Sequence, residues 1–174
     1  METSLEHLNE RVQYLEDLES IRHTWRDYCM RLDSADFEAL GDVFTEDGVV
    51  EMVGLEAFAP GSDGVYCGRK AIIDDFYGAL GSGRPRTELF NTGHLSTNMQ
   101  IDLKGDNATT LAYFFEIVAN KTVLIGTYQH RLRREADRWR FSFLRISVRY
   151  RAQLKATDVG GQSLREILAK PVPG

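Results

Sequence analysis

Residues 27–37 read DYCMRLDSADF; this stretch ends a long amphipathic run and begins a turn. Upstream of it, apolar residues recur at spacings of three and four between residues 3 and 33, which predicts one long helix. A run of about 30 residues is long for a globular helix, so we expect a break or bend near Glu19-Ser20. The part before the bend, above all residues 1–10, is then expected to act as an arm against a partner subunit.

Downstream of this stretch, the periodicity predicts two further helices, at 37–44 and 68–80. Between them lie a first strand, expected at 49–53, and a Gly- and Pro-containing segment, 54–67, expected to be a loop over a pocket mouth. The second half predicts an antiparallel meander of four strands joined by short turns, at 92–103, 108–119, 123–134 and 139–152.

Helices first and a meander last indicate an α+β fold. We expect the N-terminal helices to pack on a strongly curved, mainly antiparallel sheet and to enclose a pocket that is open at one end. Residues 1–157 are assigned to one domain. Residues 158–174, with three glycines and two prolines, are expected to form a loosely held tail.

Composition and net charge limit the kinds of partner and site that are expected. The net charge of −5 disfavours nucleic acid or an anionic membrane, because both require a basic face. There is no apolar run of the roughly 20 residues that cross a bilayer, and no apolar signal-peptide core. The two cysteines, Cys29 and Cys67, fit no metal or disulfide spacing. A cytoplasmic protein with neither metal nor cofactor is expected.

Two polar residues stand out as a candidate acid–base pair. Asp33 lies one helical turn from Cys29 and can project inward, where a carboxylate needs a partner. The alternative is that Asp33 caps the next helix, with Ser34 and Asp36 as rivals. His94 lies on an alternating strand whose own face also holds Ser96, Asn98 and Gln100. That face is either solvent-exposed or the wall of a polar pocket, since the other face is the better apolar one.

Further residues are weaker candidates. Tyr28 lies on the apolar stripe of the first helix, where its hydroxyl needs a partner. Glu116 interrupts an apolar strand and is expected to point outward between inward-facing neighbours, although an inward Glu116 is a second acid or base. The many arginines of the last two strands are expected to pair on a solvated face. Alternatively, Arg145 and Arg149 anchor an anionic substrate.

The sequence resembles a known family. The order of a long helix, Tyr28-x4-Asp33-Ser34-x-Asp36-Phe37, a short helix, a strand, a helix and then Gly93-His94-x3-Asn98 opening a meander is similar to the SnoaL-like branch of the nuclear transport factor 2-like superfamily. Residues 8–152 carry the resemblance. It implies a cone-shaped α+β barrel and a homodimer or homotrimer. Family members include dehydratases, a dehydrochlorinase, an isomerase and polyketide cyclases, but also plain binding domains.

The resemblance implies a function and roles at matching positions. We expect a cofactor-independent lyase or isomerase that acts on a hydrophobic cyclic molecule. His94 is the base, Asp33 orients its imidazole and Tyr28 donates to the departing hydroxyl or to a carbonyl. Aldol ring closure, as in polyketide cyclases, and a non-catalytic binding domain remain alternatives. The residues expected to contact substrate are Trp25, Tyr113, Phe115, Tyr128 and Asn98.

Overall fold

The computed structural model describes residues 2–56, 60–81, 94–118 and 122–154. The helical elements are α1 (Glu2–Asp33), α2 (Phe37–Leu40) with a 3-10 turn (Gly41–Val43), α3 (Arg69–Ala71), a π-helical stretch (Ile72–Tyr77) and α4 (Gly78–Gly81). The strands are β1 (Phe44–Val53), β2 (Gly64–Cys67), β3 (His94–Lys104), β4 (Asn107–Val118), β5 (Thr122–Glu135) and β6 (Arg138–Gln153). The tail expected at 158–174 lies outside the described residues.

The first helix is one continuous element, so the expected break near Glu19-Ser20 is not observed. Neither Gly nor Pro interrupts the run, and the helix has no local cause for a kink. Its second half packs on the sheet through Ile21, Trp25 and Tyr28, which are all buried. Its first 16 residues are exposed where described. None of the described helices is both long and apolar enough to cross a membrane.

The six strands form one mixed sheet in the order β2-β1-β6-β5-β4-β3. The pairs β3–β4, β4–β5 and β5–β6 are antiparallel, as the meander predicts. β1 pairs with β6 in parallel, and this pairing joins the strands of the first half of the chain to the meander of the second half. The curved α+β architecture expected from the sequence is confirmed.

The first half of the sheet differs from the expectation in two respects. β1 begins five residues earlier than predicted, at Phe44, because it continues directly from the 3-10 turn. The predicted loop 54–67 contains β2, which pairs with β1 at the sheet edge. β2 has only four residues; so short a strand offers too few positions for an alternation to be recognised.

The core lies between α1 and the inner face of the sheet. It includes Tyr28, Phe44, Tyr128, Phe141 and Leu144, each at most 2% exposed. Inner-face residues of β4 alternate regularly, so Phe114 is buried while its neighbours on either side are accessible. This alternation determines which side chains of the meander can reach an internal cavity.

Candidate active site

The last residue of α1 and the first residue of β3 meet at one end of the core. The Asp33 Oδ1 atom lies 2.5 Å from Nδ1 of His94. Its Oδ2 atom accepts a hydrogen bond of 3.0 Å from the backbone N–H of the same histidine. The carboxylate therefore holds both the ring and the backbone of His94. A carboxylate at this distance favours the neutral tautomer with its proton on Nδ1, in which Nε2 is the basic nitrogen.

The turn after α1 explains why Asp33 is available. The Asp36 side chain caps α2 by accepting from the backbone N–H of Ala39 at 3.2 Å. The alternative in which Asp33 caps this helix is therefore wrong. Ala35, with φ of 54°, reverses the chain between the two helices. The sequence places three capping candidates within four residues, and only the structure shows which of them caps the helix.

His94 is enclosed, since its side chain is 4% exposed. The alternative of a solvent-facing histidine is wrong. Burial lowers the pKa of His94, but the hydrogen bond with Asp33 and the charges of Glu116 and Asp33 outweigh it, so the net pKa lies above its ordinary value of 6.5. The imidazolium form of His94 is thus stabilised where a base needs it, after it has accepted a proton.

Glu116 completes the group, contrary to the expectation that it points outward. It pairs across the ladder with His94, and its Oε1 lies 3.6 Å from Nε2 of that residue. Burial and the nearby Asp33 charge raise the pKa of the Glu116 carboxyl, while His94 opposes them. The run Phe114-Phe115-Glu116-Ile117-Val118 is apolar on both faces, so the sequence held no signal for its orientation.

Two buried tyrosines present their hydroxyls next to one another. The Tyr28 and Tyr77 oxygens are 2.9 Å apart. The Tyr28 ring lies edge-on to the His94 ring, with centroids 6.4 Å apart. Burial raises the pKa of both phenols, so both remain donors at neutral pH. Tyr77 was missed by the sequence reasoning because it ends a π-helical stretch, whose wider turn leaves no spacing signal.

These groups open on a cavity of about 190 Å³. Its lining is apolar apart from the groups just described and the hydroxyl of Tyr128, and none of the described lining residues is Lys or Arg. The lining residues are Tyr28, Leu32, Met52, Leu55, Phe76, Tyr77, His94, Phe114, Glu116, Val118, Leu124, Tyr128, Ile146 and Val148. The cavity therefore fits a small, uncharged and largely apolar molecule.

Of the residues expected to contact substrate, only Tyr128 lines this cavity. Tyr113 and Phe115 alternate outward and are 52% and 38% exposed, so their expected placement as pocket walls is wrong. Asn98 is also exposed, at an irregularity in β3. Trp25 is buried behind the cavity and stacks on Tyr28 at 5.1 Å between centroids, so it supports a lining residue rather than lining the cavity itself.

The arginines of β5 and β6 do not reach the cavity. Arg145 pairs with Glu51 at 2.7 Å on the outer face of the sheet, and Arg149 is exposed. A broader open groove of about 650 Å³ lies on that outer face, lined in part by Gln129, Arg131 and Arg145. It contains none of the acid–base groups. The structure gives no support to the alternative that Arg145 or Arg149 anchors an anionic substrate in the cavity.

The side chains of the site are of types suited to proton transfer. Within the four described ranges, no group of three or more His, Cys, Asp or Glu side chains is arranged to hold a metal ion. The site offers one imidazole base, one carboxylate that orients it, one carboxyl of raised pKa and two phenol donors. These groups surround an apolar space, where each electrostatic interaction is stronger than in water.

Comparison with known proteins agrees with this architecture. The chain resembles a solved hexachlorocyclohexane dehydrochlorinase, LinA type 2, with 16% identity over 83% of this chain and 93% of that one (TM-score 0.65). It also resembles Rv3472, a Mycobacterium tuberculosis protein of unknown function, with 22% identity over 88% and 80% of the two chains (TM-score 0.59). At these identities, each likeness establishes the fold alone.

A third solved structure is an NTF2-like protein with a cystatin-like fold from Novosphingobium aromaticivorans, 26% identical over 81% of this chain and 87% of that one (TM-score 0.59). No curated protein matches the sequence. The sequence profile of the SnoaL-like domain matches residues 13–145, which include the second half of α1 and most of the sheet. The chain therefore belongs to the SnoaL-like domain family.

Proposed function

We propose that this protein is a cofactor-independent lyase that removes water or a comparable leaving group from a small, uncharged cyclic molecule. The observation that carries the proposal is the enclosed His94 ring, with Asp33 on Nδ1 and Glu116 beside Nε2. A histidine held in this way is ready to act as a base toward a molecule in the cavity.

The proton-abstraction step follows from the contacts of His94. Its Nε2 removes a proton from a carbon next to an activating group, and the C–H electron pair forms the new double bond as the leaving group departs. The Asp33 carboxylate stabilises the imidazolium that results. Because Asp33 also binds the backbone N–H, the ring keeps its direction during the transfer.

A leaving hydroxyl requires a proton donor that is separate from the His94 base. Tyr28 and Tyr77 form a pair in which one hydroxyl donates to the other, so the second hydroxyl can donate into the cavity. This donor stabilises charge that develops on a carbonyl or leaving oxygen. Glu116, whose carboxyl has a raised pKa, is a second group that can give a proton to the leaving group.

The cavity limits the substrate. A volume of about 190 Å³ is somewhat larger than an apolar cavity of about 150 Å³ that accommodates benzene. One substituted ring therefore fits, and a fused multi-ring molecule does not fit completely. An anionic substrate would have no counter-charge among the described lining residues and would lie against the carboxyl of Glu116.

One relative in fold supports elimination as the reaction class. LinA type 2 is, by its name, a dehydrochlorinase, and loss of hydrogen chloride begins with the same removal of a proton. Isomerisation is the second candidate. It is favoured by Glu116, whose Oε1 lies 3.6 Å from Nε2 and which is a second acid–base group to return the proton at another carbon. Both candidates use His94 as the base.

The test asks whether the protein converts candidate substrates or only binds them. The purified protein is incubated with a panel of neutral cyclic hydroxyketones and halocycloalkanes of one ring, and products are identified by mass spectrometry. Loss of water or of hydrogen halide supports elimination, whereas a product of unchanged mass and new retention time supports isomerisation. Compounds that bind and are recovered unchanged, throughout the panel, would support a binding domain instead.

The matched variants are His94→Gln and His23→Gln. His94→Gln removes the base, and kcat is expected to fall about 10²- to 10⁴-fold with no change in fold. His23, whose side chain is 66% exposed on α1, serves as the control, and its replacement is expected to leave kcat unchanged. Normal turnover by His94→Gln would rule out the proposed role.

A further inference from the structure

The first four turns of α1 carry an apolar row that nothing in the described chain covers. Leu5, Leu8, Val12 and Leu15, here named the N-terminal seam, are between 44% and 61% exposed. Four large apolar side chains in one row on a projecting helix form a patch of the kind that marks an interaction site. The seam precedes the part of α1 that packs on the sheet.

The seam cannot fold back on the chain's own core. At about 100° per residue, its centre lies roughly 150° around the helix axis from the buried face formed by Ile21, Trp25 and Tyr28. The helix is continuous between the two faces. The seam therefore points away from the sheet. A partner helix that packs on the seam lies on the side of α1 opposite to the sheet.

The spacing of the seam selects a helical partner. Steps of three, four and three residues are those of core positions a and d in a heptad, with Leu5 and Val12 at a and Leu8 and Leu15 at d. A β-branched residue at position a, combined with leucine at position d, favours a parallel coiled coil of two helices. The flanking positions are Ser4 and Arg11 at g and Asn9 and Glu16 at e.

Charge complementarity identifies the partner as a second copy of this chain. In a parallel, in-register pair, g of one helix meets e of the next heptad on the other, so Arg11 faces the second copy's Glu16 on both sides. The antiparallel pair with full overlap of the seam instead brings the two Arg11 side chains together. The same sequence thus favours one orientation and disfavours the other.

We infer that residues 4–16 form a short parallel two-stranded coiled coil with a second copy of the chain. The paired length is limited because Glu19 and Arg22 follow on the same face, and both are exposed. Two heptads bury less than the about 800 Å² per partner of a standard interface. This pairing is therefore expected to dissociate on dilution, unlike an obligate dimer.

The first test measures mass against concentration by analytical ultracentrifugation of the full chain. The wild type is expected to associate reversibly. Leu8→Glu is expected to raise the dissociation constant at least about tenfold, because each chain loses one buried leucine. Tyr14→Glu alters an exposed residue off the seam and is expected to leave it unchanged. Equal dissociation constants for wild type and Leu8→Glu overturn the inference, as does a monomer at every concentration.

A second test addresses orientation and register. Arg11→Glu is expected to weaken association several-fold, and the double variant Arg11→Glu/Glu16→Arg is expected to restore it. In a Cys67→Ser background, Val12→Cys is expected to form an interchain disulfide on mild oxidation, because equivalent a positions face each other only in the parallel register. Absence of restoration or of the cross-link would overturn the parallel pairing. Circular dichroism verifies that each variant retains its fold.

Discussion

The Asp33 carboxylate controls both the direction and the acidity of His94. It binds the ring at Nδ1 and the backbone N–H of the same residue. The hydrogen bond with Asp33 opposes the effect of burial and helps to raise the pKa of His94 above 6.5. A base of raised pKa is protonated at lower pH and becomes active as the pH rises through that value.

Replacing Asp33 is expected to move this pH dependence. Asp33→Asn removes the charge that favours the imidazolium, so the pKa of His94 falls and the lower inflection of kcat/KM moves to lower pH. The plateau also falls, because the amide no longer fixes the Nδ1 proton. The pH–rate profiles of wild type and variant measure both effects. An inflection at the same pH in both proteins would show that Asp33 does not determine the pKa of His94.

A second histidine is buried without a counter-charge. His130 contacts the hydroxyl of Thr110 and lies among Trp25, Tyr128 and Phe141. Its Nε2 has no hydrogen-bond partner among the described residues. Burial lowers the pKa of His130 from 6.5 to about 3. The folded protein therefore keeps this histidine neutral where the unfolded chain would take up a proton.

This difference predicts a loss of stability in mild acid. For a base of lowered pKa, the stabilisation is complete above the unfolded value of about 6.5 and is lost as the pH falls toward 3. His130→Phe keeps a ring in the cluster but cannot take up a proton. Between pH 6.5 and 5, its free energy of unfolding is expected to fall by about 2 kcal/mol less than that of the wild type. Denaturant unfolding at several pH values measures this. Parallel curves for the two proteins would contradict it.

At the scale of elements, β3 shows how one residue changes the faces of a strand. The register with β4 shifts between Thr97 and Gln100, so Asn98 and Met99 together oppose one residue of β4. Asn98 adopts a positive φ of 54°. This β-bulge lets His94 and Ser96 face inward before it, and Met99 and Ile101 face inward after it.

The bulge marks the limit of the sequence-based prediction. Strict alternation assigns His94 and Met99 to opposite faces and therefore makes the apolar face exclude the histidine. The six strands except β2, the long helix and the curved α+β layout follow from periodicity, because packing enforces that periodicity over many residues. The bulge, the π-helical stretch that carries Tyr77 and the inward direction of Glu116 depend on single residues, for which the chain carries no repeated signal.

The conformation of Asn98 predicts a selective tolerance. Asparagine and glycine accept a positive φ, whereas a β-branched residue does not. Asn98→Gly is expected to leave the free energy of unfolding nearly unchanged, and Asn98→Val to lower it by about 1–2 kcal/mol. Thr97→Val, next to it on the exposed face, is the matched control and is expected to have little effect. Equal stability of the two Asn98 variants would argue against the bulge.

At the scale of the whole molecule, α1 has three structurally distinct parts along one axis. Its start carries the N-terminal seam, its middle packs on the sheet and its last residue holds His94. A buried carboxylate, Asp17, fixes the transition from the first part to the second. It accepts from the indole N–H of Trp139 at 3.3 Å and pairs with Arg134 at 2.5 Å. The helix is thus fastened to the β5–β6 hairpin.

Removing Asp17 is expected to weaken the whole fold. Asp17→Ala leaves the Trp139 N–H and the Arg134 guanidinium without this acceptor, and the free energy of unfolding is expected to fall by about 2–3 kcal/mol. Glu19→Ala removes an exposed ion pair two residues away and is the control, expected to change stability little. Urea unfolding measures both. A small effect of Asp17→Ala would show that apolar packing alone holds α1.

The arrangement of the whole molecule was partly predictable. The resemblance and the order of elements indicated the family and the position of Asp33 and His94 at facing ends of α1 and β3. The parallel pairing of β1 with β6 was not predictable, because it joins strands about 90 residues apart with no local pattern. The exposed faces of Tyr113 and Phe115 were also mispredicted, since aromatic residues on both faces of β4 give no preference.

The double contact of Asp33 with His94 has a consequence for local motion. The amide hydrogen of His94 is shielded from solvent exchange by a side chain that belongs to another element. If the end of α1 frays, that amide becomes exchangeable at the same moment as the imidazole loses its orientation. Deuterium uptake at this single position therefore reports how often the base is out of place, well before the sheet itself opens.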